Sequence, residues 1–154
     1  MATGSKYRRL NVEGEDRFLG NGVHYCAACD GPFYKGQHVA VPGGGNSAVE
    51  DQVHVNGAFI FIGLEPNTSF LNDTDVELNR AGFILTGHNL PADSAWVDRF
   101  ESRLPLMFET SVPGIFAAGD VRESSTRQVA AAAGEGVTAA MLVREYLKGI
   151  RFKI

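Results

Sequence analysis

The sequence predicts an α/β fold built on a parallel sheet, and three stretches carry that expectation. The first is a short strand over residues 38–41 that ends in Pro42-Gly43-Gly44-Gly45 and enters a helix through Asn46-Ser47. Glycines at such a junction allow a tight turn and a close approach to the backbone. The second is Ala58-Phe59-Ile60-Phe61-Ile62, wholly apolar, the pattern of a strand buried on both faces. The third is Ile115-Phe116-Ala117-Ala118, stopped by Gly119-Asp120. Parallel sheets meet their ligands at the carboxyl ends of such strands.

The remaining elements follow in chain order. Residues 1–22 are polar and glycine-rich and read as an irregular crossing segment, after which a cysteine pair leads to a turn at Asp30-Gly31-Pro32. The helix that Asn46 and Ser47 cap should run to about Val55. Gly82-Phe83-Ile84-Leu85-Thr86 is a weaker strand, and residues 87–107, with Pro91 and Pro105, look like a surface loop. A helix over 127–148 closes the chain; its Ala and Gly residues at 130–136 suit close packing, and Met141, Leu142, Tyr146 and Leu147 form an apolar stripe.

Composition narrows the function classes. The 154 residues suffice for one domain with a core, and 44% hydrophobic with 21% charged residues is ordinary for a globular chain. The net charge of −4, with scattered Lys and Arg, offers no basic face for nucleic acid. No apolar run approaches the ~20 residues of a membrane helix; the longest, 58–64, is broken by Gly63. The first residues lack the apolar core of a signal peptide, so a cytoplasmic location is expected. There a close cysteine pair is more often catalytic or metal-binding than structural.

Cys26-Ala27-Ala28-Cys29 holds the only cysteines, and CxxC spacing lets the sulfurs bond in a tight turn and cycle between dithiol and disulfide. A structural zinc would need two more ligands from His24, His38, His54 and His88, which show no second paired spacing, so no metal is expected. Asp30 is either a proton relay to a leaving thiolate or a plain turn residue. Gly43-Gly44-Gly45-Asn46-Ser47-Ala48 fits G-x-G-x-x-A, a cradle for a dinucleotide pyrophosphate or simply a strand-to-helix joint. Glu65 stands where a ribose-binding acid would, or is a loop carboxylate. Asp120 either accepts from a ribityl or ribose hydroxyl or caps the next turn.

Four stretches in order resemble thioredoxin reductase and the small flavoprotein disulfide reductases. They are Ala2-Thr3-Gly4 through Tyr7-Arg8 and Gly14-Glu15; Gly22-Val23-His24-Tyr25-Cys26-Ala27-Ala28-Cys29-Asp30-Gly31; residues 39–50; and Gly63-Leu64-Glu65-Pro66-Asn67-Thr68 onward to 110–120, Arg127-Gln128-Val129 and Gly134-Glu135-Gly136. The resemblance implies a shortened three-layer FAD/NAD(P)-binding Rossmann-like fold with a parallel sheet. Residues 1–37 would be a crossing segment with the CxxC pair, 38–62 a remnant of the NADPH-binding domain, and 63–154 the C-terminal part of the FAD-binding domain. Electrons would pass from NADPH through FAD to the cysteine pair and on to a thioredoxin-like small dithiol protein. Cys29 would face the flavin, Cys26 attack the partner disulfide, and Asp30 serve as the acid. Gly119, Asp120, Arg127, Gln128 and Val129 would hold FAD; Gly43, Gly45, Asn46, Ser47 and Ala48 would line the NADPH pyrophosphate, and Glu65 would not be the ribose acid. A homodimer is among the assemblies the resemblance admits. The family's N-terminal G-x-G-x-x-G unit would precede Ala2, and further strands, helices and an Arg-rich loop would follow Glu50. The expectation is therefore a reductase with two large pieces removed and weak FAD binding, the rival being a catalytically silent nucleotide-binding or interaction domain.

Overall fold

The computed structural model describes residues 1–43, 53–92, 96–100 and 103–149. The chain divides into two compact units, Tyr7–Leu64 and the combination of Met1–Lys6 with Glu65–Ile154. The chain passes between them through β1 (Ser5–Tyr7) and β5 (Leu64–Pro66), which pair as a two-stranded sheet.

The unit Tyr7–Leu64 carries the parallel sheet. Its strands β2 (Val23–His24), β3 (Val39–Ala40) and β4 (Gly57–Phe59) lie in the order β2-β4-β3. Val23 pairs with Ala58 and His24 with Phe59 on one side of β4, and Val39 with Gly57 and Ala40 with Ala58 on the other, both parallel. The apolar run thus supplies the central strand. Phe59 and Ile60 are buried, but Phe61 turns outward to 45% exposure, so burial on both faces ends with Ile60. Two short helices appear where none was expected: α1 (Glu15–Phe18) in the crossing segment, and α2 (Ala27–Asp30), which passes straight into a 3-10 turn over Gly31–Tyr34. The turn expected at Asp30-Gly31-Pro32 is therefore helical. Pro32 sits at the start of the 3-10 turn, where its missing N–H removes no hydrogen bond. Most of the helix expected from Asn46 lies outside the described residues; Val53, His54 and Val55 are not helical.

The second unit is held by side-chain clusters more than by regular strands. Leu71, Val76, Ile84, Ala117 and Val121 form one cluster; Leu85, Leu90, Trp96 and Phe100 a second; Phe108, Phe116, Ala118 and Ala139 a third. The expected strand at 82–86 is reduced to bridges of Ile84 with Leu78 and Arg122, and that at 115–118 to a bridge of Phe116 with Glu109. The Met1 backbone adds hydrogen bonds to Phe116 and Ala118. Residues 87–107, read as a surface loop, instead bury Leu90, Trp96 and Phe100. Their apolar residues are anchored one at a time through 3-10 turns at Gly87–Asn89 and Val97–Phe100, which leaves no period to read.

The long helix α3 spans Val129–Leu147. Its inward face matches the expected stripe in part: Leu142 packs on the third cluster and Tyr146 lies edge-on to Phe116 at 6.0 Å, beside the buried Ala139 and the partly buried Val143, whereas Met141 and Leu147 are 56% and 77% exposed. Of the small residues at 130–136, Ala132 does pack closely, its Cβ 3.6 Å from where a side chain on Gly119 would begin, whereas a Cβ on Gly134 or Gly136 would meet nothing within 4 Å.

Candidate functional site

In the unit Tyr7–Leu64, Cys26 and Cys29 are joined as a disulfide with Cα atoms 5.3 Å apart. The local sequence explains the pairing. Cys26 has extended backbone (φ −129°, ψ 101°) and caps α2, its Sγ accepting the Cys29 N–H at 3.2 Å. One helical turn therefore brings the two sulfurs together. The Cys26 carbonyl accepts the Asp30 N–H at 3.0 Å, which fixes Asp30 directly behind the pair. Cys29 is exposed and Cys26 half-buried.

Around Asp30 the structure assembles residues that sequence reading had not grouped. Asp30 Oδ2 lies 3.2 Å from His24 Nδ1, and His24 Nε2 lies 2.8 Å from the Tyr34 hydroxyl. His24 is only 6% exposed, stacked on Phe59 at 5.3 Å with Tyr34 edge-on at 5.2 Å. This trio borders an open cleft of about 380 Å³, further lined by Phe33, Gln37 and Asn56. His24 had entered the sequence reading as a discarded zinc ligand and as part of the family-like stretch 22–31, with no role assigned to it. Its position two residues before Cys26, on a strand too short to show periodicity, was the available signal.

A second buried anchor steadies the approach to the pair. Glu15 accepts the Leu10 and Asn11 N–H groups at 3.2 and 2.8 Å and a hydrogen bond from the Tyr25 hydroxyl. That tyrosine bond, the two backbone N–H groups and the charge of Arg9 hold the Glu15 carboxyl below the usual glutamate range, against the opposing effect of burial. Burial, and then the Glu15 bond, push the Tyr25 phenol up. Tyr25 immediately precedes Cys26, so Glu15 fixes the chain that enters the dithiol.

Of the glycine turn only Gly43 is placed; it bridges Phe61 in parallel, and a Cβ there would meet none of the described residues within 4 Å. Gly45, Asn46, Ser47 and Ala48 lie outside the described residues.

The other unit brings Gly119, Asp120, Arg127, Gln128 and Val129 around the start of α3. Gly119 takes φ +77°, a conformation L side chains rarely adopt, and its N–H donates to Glu135 Oε2 at 2.7 Å. Glu135 also receives Arg122 Nε and Nη2 at 3.1 and 2.9 Å, and Arg122 Nη1 donates to Thr86 Oγ1 at 3.0 Å. A buried ion pair thus pins the Gly119 turn to α3. Asp120 accepts the Ser125 hydroxyl at 3.4 Å. Arg127 is left-handed (φ +55°), its guanidinium lies 4.9 Å from the Phe83 ring centroid, and its Nε is buried with no hydrogen-bond partner among the described residues. Gln128 begins α3 without a side-chain cap, and Val129 is 89% exposed. Arg127 Nε and the uncapped start of α3 offer N–H donors and Asp120 offers an acceptor, the kind of set a polar, hydroxyl-bearing ligand uses.

A dithiol–disulfide pair beside a parallel sheet defines an oxidoreductase class, and the comparisons bear this out. Residues 50–136 match the pyridine nucleotide-disulphide oxidoreductase family, and the chain belongs to that family. It is 31% identical over 196 positions to thioredoxin reductase of Ureaplasma parvum, covering 96% of this chain and 63% of that protein. It is 31% identical over 214 positions to an NADH dehydrogenase of Bacillus subtilis, covering 96% of this chain and 38% of that one. The crystal structure of thioredoxin reductase from Streptococcus pyogenes superposes with a TM-score of 0.72 at 28% identity, covering 97% of this chain and 65% of the other. The fold is thus the Rossmann-like α/β type with a parallel sheet expected from the sequence. The chain spans less than two thirds of the length of these relatives. The Ureaplasma alignment is 196 positions long against 154 residues in this chain, so at least 42 of its positions have no counterpart here.

Proposed function

We propose that the chain is a thioredoxin-reductase-like flavoprotein disulfide oxidoreductase, passing electrons from NADPH through FAD to Cys26–Cys29 and on to the disulfide of a thioredoxin-like protein. The observation that carries this reading is the disulfide itself, capping a helical turn that ends in Asp30. FAD would be held by Gly119, Asp120, Arg127, Gln128 and Val129, and NADPH by the turn of Gly43, Gly45, Asn46, Ser47 and Ala48. When bound, the flavin supplies two-electron transfer between a hydride donor and the disulfide. The chain's own part is thiol chemistry. Cys29 is the sulfur on the flavin side; Cys26 as thiolate attacks the partner disulfide to form a mixed disulfide; Cys29 then attacks Cys26 and expels the partner's thiol. Asp30 holds the proton exchanged with the departing sulfur.

By the same reading, residues 1–37 cross with the CxxC pair, 38–62 are the remnant of the NADPH-binding part and 63–154 the C-terminal flavin-binding part. The setting is the cytoplasm, where thiol reductants operate. No helix among the described residues is long and apolar enough to cross a membrane. A homodimer and the absence of nucleic-acid partners complete the proposal.

The missing alignment positions favour a second reading, a nucleotide-binding or interaction domain without turnover. A visible spectrum of the purified protein, followed by FAD titration, separates the two. The enzyme reading expects mostly apo protein that takes up FAD weakly and then, with NADPH, yields the Cys26 and Cys29 thiols. Protein that neither binds added FAD nor forms thiols under NADPH belongs to the second reading.

A further inference from the structure

We infer that His24 is a positioning residue for Asp30, holding its carboxylate through Nδ1–H while Tyr34 fixes the imidazole from the other side. The inference rests on the reading of Asp30 as the proton donor and adds a residue to it. Its basis is geometric. His24 Nδ1 lies 3.2 Å from Asp30 Oδ2, and Nε2 lies 2.8 Å from the Tyr34 hydroxyl, so both ring nitrogens are engaged. Once Asp30 has given up its proton, the hydrogen between them belongs to Nδ1, which leaves Nε2 bare to accept the Tyr34 O–H. One tautomer satisfies both contacts.

The ring has little freedom to turn away. It is 6% exposed, stacked on Phe59 and bordered by the Tyr34 edge. The third member is itself set by β4: a Cβ on Gly57 would stand 2.6 Å from Tyr34 Cε1, so glycine there makes room for the phenol. Asp30 sits on a single helical turn and has few restraints of its own, which is why an external partner matters to its aim.

The reaction that reads this out needs only the oxidised full-length chain and dithiothreitol. A thiolate of the reductant attacks one sulfur of Cys26–Cys29, breaking that bond and forming a mixed disulfide, and the released cysteine sulfur takes up a proton. The reductant's second thiol closes its own ring disulfide and frees the other cysteine, so two electrons pass from the dithiol to the pair. The rate is followed by quenching with an alkylating agent and mass spectrometry.

Four variants decide the matter, with circular dichroism as the check on folding. Asp30→Asn should slow exchange about 100-fold, the low end for loss of a positioned proton donor. The amide of Asn at position 24 stands where Nδ1 does, whereas that of Gln stands nearer Nε2. His24→Asn should therefore stay within about threefold of the parent and His24→Gln fall about tenfold or more, the scale of a misaimed group. Tyr34→Phe should resemble His24→Asn. If Asp30→Asn slows exchange while His24→Asn and His24→Gln run at equal rates, the positioning role is overturned and the acid role of Asp30 stands. If Asp30→Asn exchanges at the parent rate, the underlying reading of Asp30 fails. Nitrogen-15 NMR of the parent's His24 gives a test independent of variants: a protonated Nδ1 with a bare Nε2 supports the proposal, and the opposite tautomer overturns it.

Discussion

Replacing Glu109 by alanine should destabilise the unit that carries the candidate flavin residues by about 3 kcal/mol. Glu109 is fully buried, and its two oxygens receive Arg103 Nη1 and Nη2 at 2.7 Å each, the Leu106 N–H at 2.9 Å and the Gly114 N–H at 2.8 Å. Truncation strands two backbone donors, at roughly 1–3 kcal/mol apiece if they stay dry, and leaves a guanidinium without its counter-ion. Breaking a buried pair typically costs ~3–5 kcal/mol. Arg103 is 30% exposed and can recover some hydration, which argues for the lower end. Urea denaturation followed by circular dichroism measures the difference, and a loss below about 0.5 kcal/mol, the level of an ordinary surface change, would refute the reasoning. A pH dependence follows with a definite sign. Burial pushes the Glu109 carboxyl up, but the Arg103 hydrogen bonds, the two N–H groups and the Arg103 charge together bring it below the usual glutamate range. A carboxylate depressed in the folded state stabilises above the unfolded pKa of ~4.3 and loses that contribution as pH falls toward its folded value. Glu109→Gln should flatten this acid limb of the stability curve.

Four further outcomes follow from the same structure. Glu135→Gln breaks charge-assisted bonds to Arg122 and the Gly119 N–H; a loss of roughly 1.5–3 kcal/mol in denaturation and weaker FAD uptake are expected together. Gly87→Ala places a Cβ 2.6 Å from the Met107 carbonyl oxygen at φ +52°, and thermal melts should report a cost of about 2 kcal/mol or more. Gly57→Ala pushes on the Tyr34 ring; overpacking of about 1–3 kcal/mol should accompany loss of the Tyr34–His24 bond, visible as a shifted His24 nitrogen resonance. Gly45→Val, on the family reading of its turn, should weaken NAD(P)H binding; identical titration curves for variant and parent would make the turn merely structural.

The parts of the fold that were legible in the sequence are those where one residue pattern dictates one environment. The run at 58–62 announced a central strand because no polar side chain interrupts it, and CxxC announced the disulfide because two intervening residues suffice for one helical turn. What escaped the reading depends on tertiary partners. Leu90, Trp96 and Phe100 are buried singly on irregular backbone, which leaves no period to detect. The face of α3 was read only in part: Leu142 and Tyr146 of the expected stripe do meet the third cluster, but the small Ala139 lies at its centre and Met141 and Leu147 face outward. His24 became interpretable only when β2 and α2 set it beside Asp30; both stand in the stretch 22–31, but the stretch by itself does not say which of its side chains meet.

Trp96, one member of a buried cluster, has a practical consequence. It is the only tryptophan of the chain and is 7% exposed, with its Nε1–H donated to the Pro91 carbonyl at 2.8 Å and its ring edge-on to Phe100 at 5.6 Å. Its emission therefore reports the melting of the unit around Glu65–Ile154 alone, while the reactivity of Cys26–Cys29 toward reductant reports the other unit. The protein thus carries two intrinsic probes, one optical and one chemical, on separate parts of the chain. Coincident denaturation curves from the two would mark a single cooperative transition, and curves that separate would mark units that melt on their own.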